Sequence, residues 1–149
     1  MKKVLIILLL IFCICGCTSS EKKEYLNYIE ELKSVEKSSK SYPFDIEVKY
    51  DKIIDQEVRY QVILDNVKED ISDITIICYH DKKTDDIYPS MGIFDDKESL
   101  KKDKKPSGLI LVGYIPYKKD IDSLKITMKV LVKYKIKGKE YKIYYVTKK

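Results

Sequence analysis

The chain has no tryptophan, a single histidine (His80), a single arginine (Arg59), and no apolar run long enough to cross a bilayer. Each scarcity closes a route. With one imidazole and no CxxC or HExxH pattern, a zinc site would lack the three or four ligands it needs. With Arg59 alone, the planar two-pronged grip of arginine on phosphate or carboxylate is nearly missing, so anion binding falls to lysine. The absence of tryptophan and of a cysteine pair among the strand-like segments removes the hallmarks of antibody-type domains. The longest apolar run, Val4 to Ile14, has about eleven residues, where a membrane span takes roughly twenty.

What is there begins with that run. Lys2 and Lys3 precede it and a polar segment follows at once, the layout of a secretory signal. Its end, Ile14-Cys15-Gly16-Cys17, resembles the lipobox of bacterial lipoproteins, with Cys15 where alanine, serine or threonine is usual. The resemblance implies cleavage after Gly16, a diacylglycerol thioether on Cys17 and acylation of the new amino end, as with palmitate. The alternative is an ordinary secretory signal cut elsewhere. Each buried acyl CH₂ contributes about 0.8 kcal/mol, and two or three chains anchor stably where one does not. The expected organisation is a signal peptide over 1–16, a lipidated tether with a helix over 17–41, and a β domain over 42–149, held to the outer face of the cell membrane.

Loss of Lys2 and Lys3 takes the formal net charge from +5 to +3, too little to argue for nucleic acid. Cys13 and Cys15 leave with the signal and Cys17 carries lipid, so Cys78 stands alone and no intramolecular disulfide can form. Lysine in place of arginine, with abundant isoleucine, points to an AT-rich genome and so to a low-GC Gram-positive bacterium.

After Cys17, Tyr25, Ile29 and Leu32 fall at helical spacing, with Tyr28 and Val35 beside them. A helix is expected from about Glu21 to Lys37 with Ser20 as its cap. Its stripe can pack on the domain, pair with a partner helix or lie on lipid; alone, so short a helix is marginal in water. Ser38-Ser39-Lys40-Ser41 reads as a flexible lead.

From Tyr42 the period changes to two. Phe44, Ile46, Val48 and Tyr50 alternate with charged residues; Val58, Tyr60, Val62 and Leu64 do the same. Ile74 to Tyr79 is apolar on both parities and is therefore expected to be central. Ile87 to Phe94, with Pro89, reads as a weak edge strand, and Asp95 to Lys105 as a long loop or a turn of helix. Leu109 to Ile115 is the next strand. Last come Leu124, Ile126, Met128, Val130, Val132, Tyr134 and Ile136 on one parity, Gly138 as the turn, and Tyr141, Ile143 and Tyr145 returning. About seven strands with turns between predict an all-β fold, an antiparallel immunoglobulin-like β-sandwich, with a small barrel as the alternative.

Candidates for chemistry are few. Cys78, His80 and Asp81 form a local set too small for a metal, with Cys78 expected as a buried hydrophobe and His80 at a loop edge. Acidic residues gather in turns (Asp65, Glu69, Asp70 and Asp73; Asp81, Asp85 and Asp86; Asp95 and Asp96; Asp120 and Asp122), where calcium could find oxygens. They lack the EF-hand pattern, and Asp is an ordinary turn residue. No cofactor is expected. Lys125, Lys129, Lys133, Lys135 and Lys137 form a basic stripe on the terminal hairpin, a surface for anionic headgroups or polymers that is equally the solvated face of a lysine-rich strand. Thirteen tyrosines suggest a sugar or peptide platform, although strand propensity accounts for many of them.

The expected function is a non-enzymatic binding or scaffolding lipoprotein for a cell-envelope protein or anionic polymer. The alternatives are a small-ligand or calcium-binding lipoprotein and, further off, a cell-wall hydrolase. A Cys17→Ser chain is expected to lose the lipid mass and move from the membrane fraction to the soluble one; unchanged mass and fractionation would overturn the anchor.

Overall fold

A computed structural model describes residues 18–54, 56–84, 87–104 and 108–149; the expected signal segment 1–16 and Cys17 lie outside the described residues. The two-residue alternation becomes two antiparallel sheets. The first contains β1 (Asp45–Ile54), β2 (Glu57–Asp65) and β6 (Leu109–Pro116), in the order β1-β2-β6. The second contains β3 (Ile71–His80), the two-residue β4 (Ser90–Met91), the three-residue β5 (Glu98–Leu100), β7 (Thr127–Ile136) and β8 (Lys139–Lys148). Its order is β4-β3-β7-β8, with β5 also paired to β3.

The chain crosses between sheets after β2, after β5 and after β6, and closes with the β7–β8 hairpin. The result is an all-β antiparallel sandwich of the two sheets.

The inner faces supply the core. Val58, Val62, Leu64, Ile74, Ile76, Met128, Val130 and Val132 are all fully buried, each contributing about 1.5–3 kcal/mol relative to exposure. One position is defined by a missing side chain. Gly113 lies opposite Tyr60 across the β2–β6 ladder, and the Tyr60 ring fills the space where its Cβ would stand, 2.2 Å from the ring carbon Cζ. The Tyr60 hydroxyl in turn meets the Cys78 thiol at 3.6 Å.

A bulge at Asp73 (φ 53°) lets β3 begin three residues earlier than alternation suggests. Ile71 and Ile74 both turn into the core although their spacing is odd. Asp95 to Lys105 contains β5, through which Leu100 is buried against β3. The expectation of a structureless loop or helical turn there fails because one apolar residue on a short edge suffices.

The helix α1 spans Thr18–Ser34 rather than Glu21 to Lys37, so Ser20 lies inside it and does not cap it. It ends where Val35 N–H bonds Leu32 O and the chain turns toward β8. Of the three dispositions open to it, α1 takes the first. Tyr25, Tyr28, Ile29 and Leu32 bury against Ile77, Ile93 and Leu131 on the outer face of the larger sheet. A polar clamp flanks this layer: Lys142 Nζ donates to Glu31 at 3.0 Å, and the Tyr144 hydroxyl donates to the same carboxylate. Partial burial pushes the Glu31 carboxyl up, but these two donors outweigh it and hold it below its ordinary value.

The serine lead is not a flexible one. Ser39 N–H donates to Tyr144 O at 2.8 Å, Tyr144 N–H to Ser39 Oγ at 3.0 Å and Val146 N–H to Ser38 Oγ at 2.8 Å. A hydroxyl both donates and accepts, so two serines stand where the next strand of the ladder would be.

Gly113→Ala is expected to force the Tyr60 ring out of its place and destabilise the domain by about 1–3 kcal/mol, the range for overpacking. Denaturant unfolding with an unchanged m-value would show it.

Candidate functional site

The β7–β8 hairpin turns on two residues, Lys137 (φ 49°) and Gly138 (φ 79°), both left-handed as a type I′ turn requires. That tight turn fixes the register, placing Tyr134 directly opposite Tyr141. Their rings stack at 5.7 Å between centroids, 15° apart. Tyr134 is buried against Phe44, edge to face at 5.7 Å. Tyr141, on the edge strand β8, stays 37% exposed. Tyr42 packs on Phe44 and Tyr145 from the other side.

The Tyr42, Tyr134 and Tyr141 rings line a cleft of about 650 Å³ that also takes in Lys68, Glu69, Lys137 and Lys139. A second cleft, of about 580 Å³, shares Lys68, Glu69, Ile136 and Lys137 and adds Lys101, Lys102 and Lys135. A third, of about 490 Å³, shares Ser41, Tyr42 and Lys68. Lys68 lines all three, so they are lobes of one groove around the end of the sandwich.

Along the first two lobes, six lysines stand against three carboxylates, Glu69, Asp70 and Asp103. Several of these charges are already engaged. Asp70 accepts from Lys102 N–H and Lys101 Nζ, which hold its carboxyl below the usual range. Lys135 pairs with Asp73 at 2.7 Å, raising the one pKa and lowering the other. Lys68 approaches Asp45 at 3.7 Å. Among the described residues, Lys137 and Lys139 have no carboxylate partner, and Lys139 Nζ lies 5.4 Å from the centre of the Tyr141 ring. The groove therefore joins uncommitted positive charge to an aromatic surface.

The basic stripe expected on the hairpin is distributed differently. Lys125 is exposed ahead of β7. Lys129 Nζ donates to Lys33 O of α1 at 2.8 Å, and Lys133 pairs with Glu140 at 3.4 Å. Leu131, between them, is covered by α1. Only the lower end, Lys135 and Lys137, reaches the groove. Tyr42 and Lys68 came with no motif, and Glu69 was noted only among the acidic turn residues; the junction between helical and two-residue periods at Tyr42 was the one other mark of the place.

Cys78, His80 and Asp81 do not converge. Cys78 is fully buried and burial pushes its thiol up to about 12, which leaves it protonated and unreactive at neutral pH. Asp81 instead accepts from Thr127 N–H at 3.0 Å. His80 is not at an exposed loop edge: it is 1% exposed, because it is the last inward position of β3. Its ring meets Tyr60 and Tyr88 edge-on at 5.4 and 5.0 Å, beside a cavity of about 120 Å³ bounded also by Gly113 and Pro89. Nδ1 is buried with no hydrogen-bond partner, and burial holds the imidazole below its ordinary pKa.

The acidic turns serve local structure. Asp95 accepts from Gly92 N–H, Asp120 caps the turn Ile121–Ser123, and Asp45 accepts from Asn66. Asp85 and Asp86 lie outside the described residues. Among the described residues no three of His, Cys, Asp and Glu gather to hold a metal ion, and no helix is long and apolar enough to cross a membrane. Comparison with protein-family models, curated proteins and solved structures finds no match to this chain.

His80 generates a pH dependence whose sign is fixed. The unfolded chain takes up a proton near pH 6.5, and the folded chain only at lower pH. The unfolded state then binds more protons between the two values, so stability is lost as pH falls below about 6.5. The slope is at most about 1.4 kcal/mol per pH unit, the limit for one proton. As His80 is the only histidine, His80→Leu is expected to flatten the unfolding free energy between about pH 5 and 7; an unchanged slope would refute the assignment.

Proposed function

We propose that this chain is a lipid-anchored, extracytoplasmic binding module, non-enzymatic, that holds an anionic polymer of the cell envelope in the groove at the hairpin end of its sandwich. The observation that carries the reading is the pairing of Lys137 and Lys139, free of carboxylates, with the stacked Tyr134–Tyr141 ledge beneath them. Anionic groups spaced along a flexible polymer meet ammonium groups on flexible stems, and the polyol or sugar between them lies against the Tyr141 face. Lysine suits this better than arginine would, because a compact charge on a mobile stem tolerates many approach angles where a planar fork demands one.

The anchor supports the same reading by physical address. A lipid on Cys17 would keep the module at the membrane, where such polymers begin. The mild positive charge favours approach to a polyanion without the strength that would trap the protein on every acidic surface.

Binding of a poly(glycerol phosphate) chain to the purified protein is the direct measurement, with a neutral glucan of similar length as control. Basic residues at an anionic surface contribute about 1 kcal/mol each, so Lys137→Gln with Lys139→Gln is expected to weaken binding roughly thirtyfold. Tyr141→Ala is expected to weaken it further, and added salt to weaken the parent protein more than the double variant. Equal affinity for the neutral glucan, or no loss in the double variant, would sink the proposal.

A further inference from the structure

Next to the anchor the molecule leaves apolar side chains uncovered. Leu26 of α1 is 51% exposed and Phe94 is 54% exposed. Phe94 is held outward by a constrained turn. Gly92 sits at φ 74°, its missing Cβ making room for Ile74 O, which a Cβ would meet at 2.3 Å. Asp95 accepts the Gly92 N–H at 2.6 Å. The turn sends Ile93 under the helix and Phe94 out beside it, the Phe94 ring lying 5.5 Å from that of Tyr25. Leu26 is the next residue along the helix, on the flank it shares with Lys22.

We infer that the surface presented by Leu26 and Phe94 rests in the headgroup region of the membrane that holds the anchor, so that the sandwich is oriented on the bilayer rather than swinging above it. The inference builds on the reading of Cys17 as the lipidated residue. What identifies the occupant is where the chain outside the described residues ends. Cys17 directly precedes Thr18, the first residue of α1, so no spacer stands between the lipid and the helix. From Thr18 to Tyr25, the first residue buried on the sheet, a helix rises roughly 10 Å.

The docked end of α1 and the Phe94 turn beside it therefore stay within about a helical turn or two of the headgroups. Amphipathic surfaces typically sink about 5–10 Å into that region. Lys22 and Lys23 are exposed on the intervening turns, as suits a passage through anionic headgroups. Leu26 belongs to neither core cluster, and Phe94, beyond its contact with the Tyr25 ring, stays more than half exposed.

The absence of tryptophan supplies the probe. Phe94→Trp, Leu26→Trp and, on the outer face of β6, Tyr114→Trp replace side chains already exposed, so the fold is not at risk. The full lipidated chain is reconstituted in vesicles of phosphatidylcholine and phosphatidylglycerol with bromine on the upper acyl carbons. Emission at positions 94 and 26 is expected to shift to the blue and fall at least twofold relative to unbrominated vesicles, while position 114 stays unquenched. Lack of quenching at 94 and 26 in protein that floats with the vesicles, or quenching at 114 instead, would overturn the inference and leave the anchor standing. Protein that fails to float and shows an unmodified Cys17 by mass would instead sink the anchor reading on which the inference depends.

Discussion

The structure depends on one constraint: at the centre of the larger sheet, where Ile77 pairs with Leu131, the two middle strands are apolar on both faces. Ile76, Cys78, Val130 and Val132 face the opposing sheet, while Ile77 and Leu131 point away from it. A sandwich alone satisfies only the first set, and an exposed Ile77–Leu131 patch would be an invitation to aggregate. The helix resolves this, and needs the sheet as much as the sheet needs it, since seventeen residues of mixed composition do not hold a helix in water unaided. Four buried side chains, Tyr25, Tyr28, Ile29 and Leu32, contribute up to about 6–12 kcal/mol. The half-exposed Glu31–Lys142 pair adds at most about 1 kcal/mol. Apolar burial decides the docking; the clamp fixes its register.

Much of this was legible in the sequence, and the reasons are specific. Strict alternation marked β1, β2 and the terminal hairpin because each has one face on the core. The continuous apolar run of β3 reads as a central strand, which it is; that its outer face is covered by the helix, together with Leu131 standing alone in a row of lysines, was not read. What escaped has physical causes too. The bulge at Asp73 breaks the period of two, so Ile71 fell out of the pattern. Ser38 and Ser39 look like linker because composition does not distinguish a hydroxyl facing water from one completing a ladder. His80 sits two residues from Cys78, and parity put both on the same face; burial followed from the strand running one residue further than its apolar content suggested.

The groove was half legible. The lysines of the hairpin and the tyrosines drew notice separately, but their meeting depends on the turn at Lys137 and Gly138, and on Tyr42 and Lys68 arriving from distant parts of the chain. The basic stripe divides: Lys129 and Lys133 are engaged by α1 and Glu140, Lys135 pairs with Asp73, Lys125 is exposed ahead of β7, and Lys137 alone meets the groove without a carboxylate partner among the described residues. Charge counted along a strand overstates what is free to bind, because neighbouring elements spend it.

The docking of α1 also fixes the order in which the molecule can be finished. Its clamp joins Glu31 to Tyr144 across 113 residues, and the serines behind it reach β8 across 105 and 108. A chain emerging from its amino end presents the helix first and the hairpin that receives it last. Until the final strand arrives the helix has no floor to lie on, and contacts of such span are slow to close. If the lipid is in place by then, folding is completed with the helix already held near the membrane, and β8 is the strand that captures it.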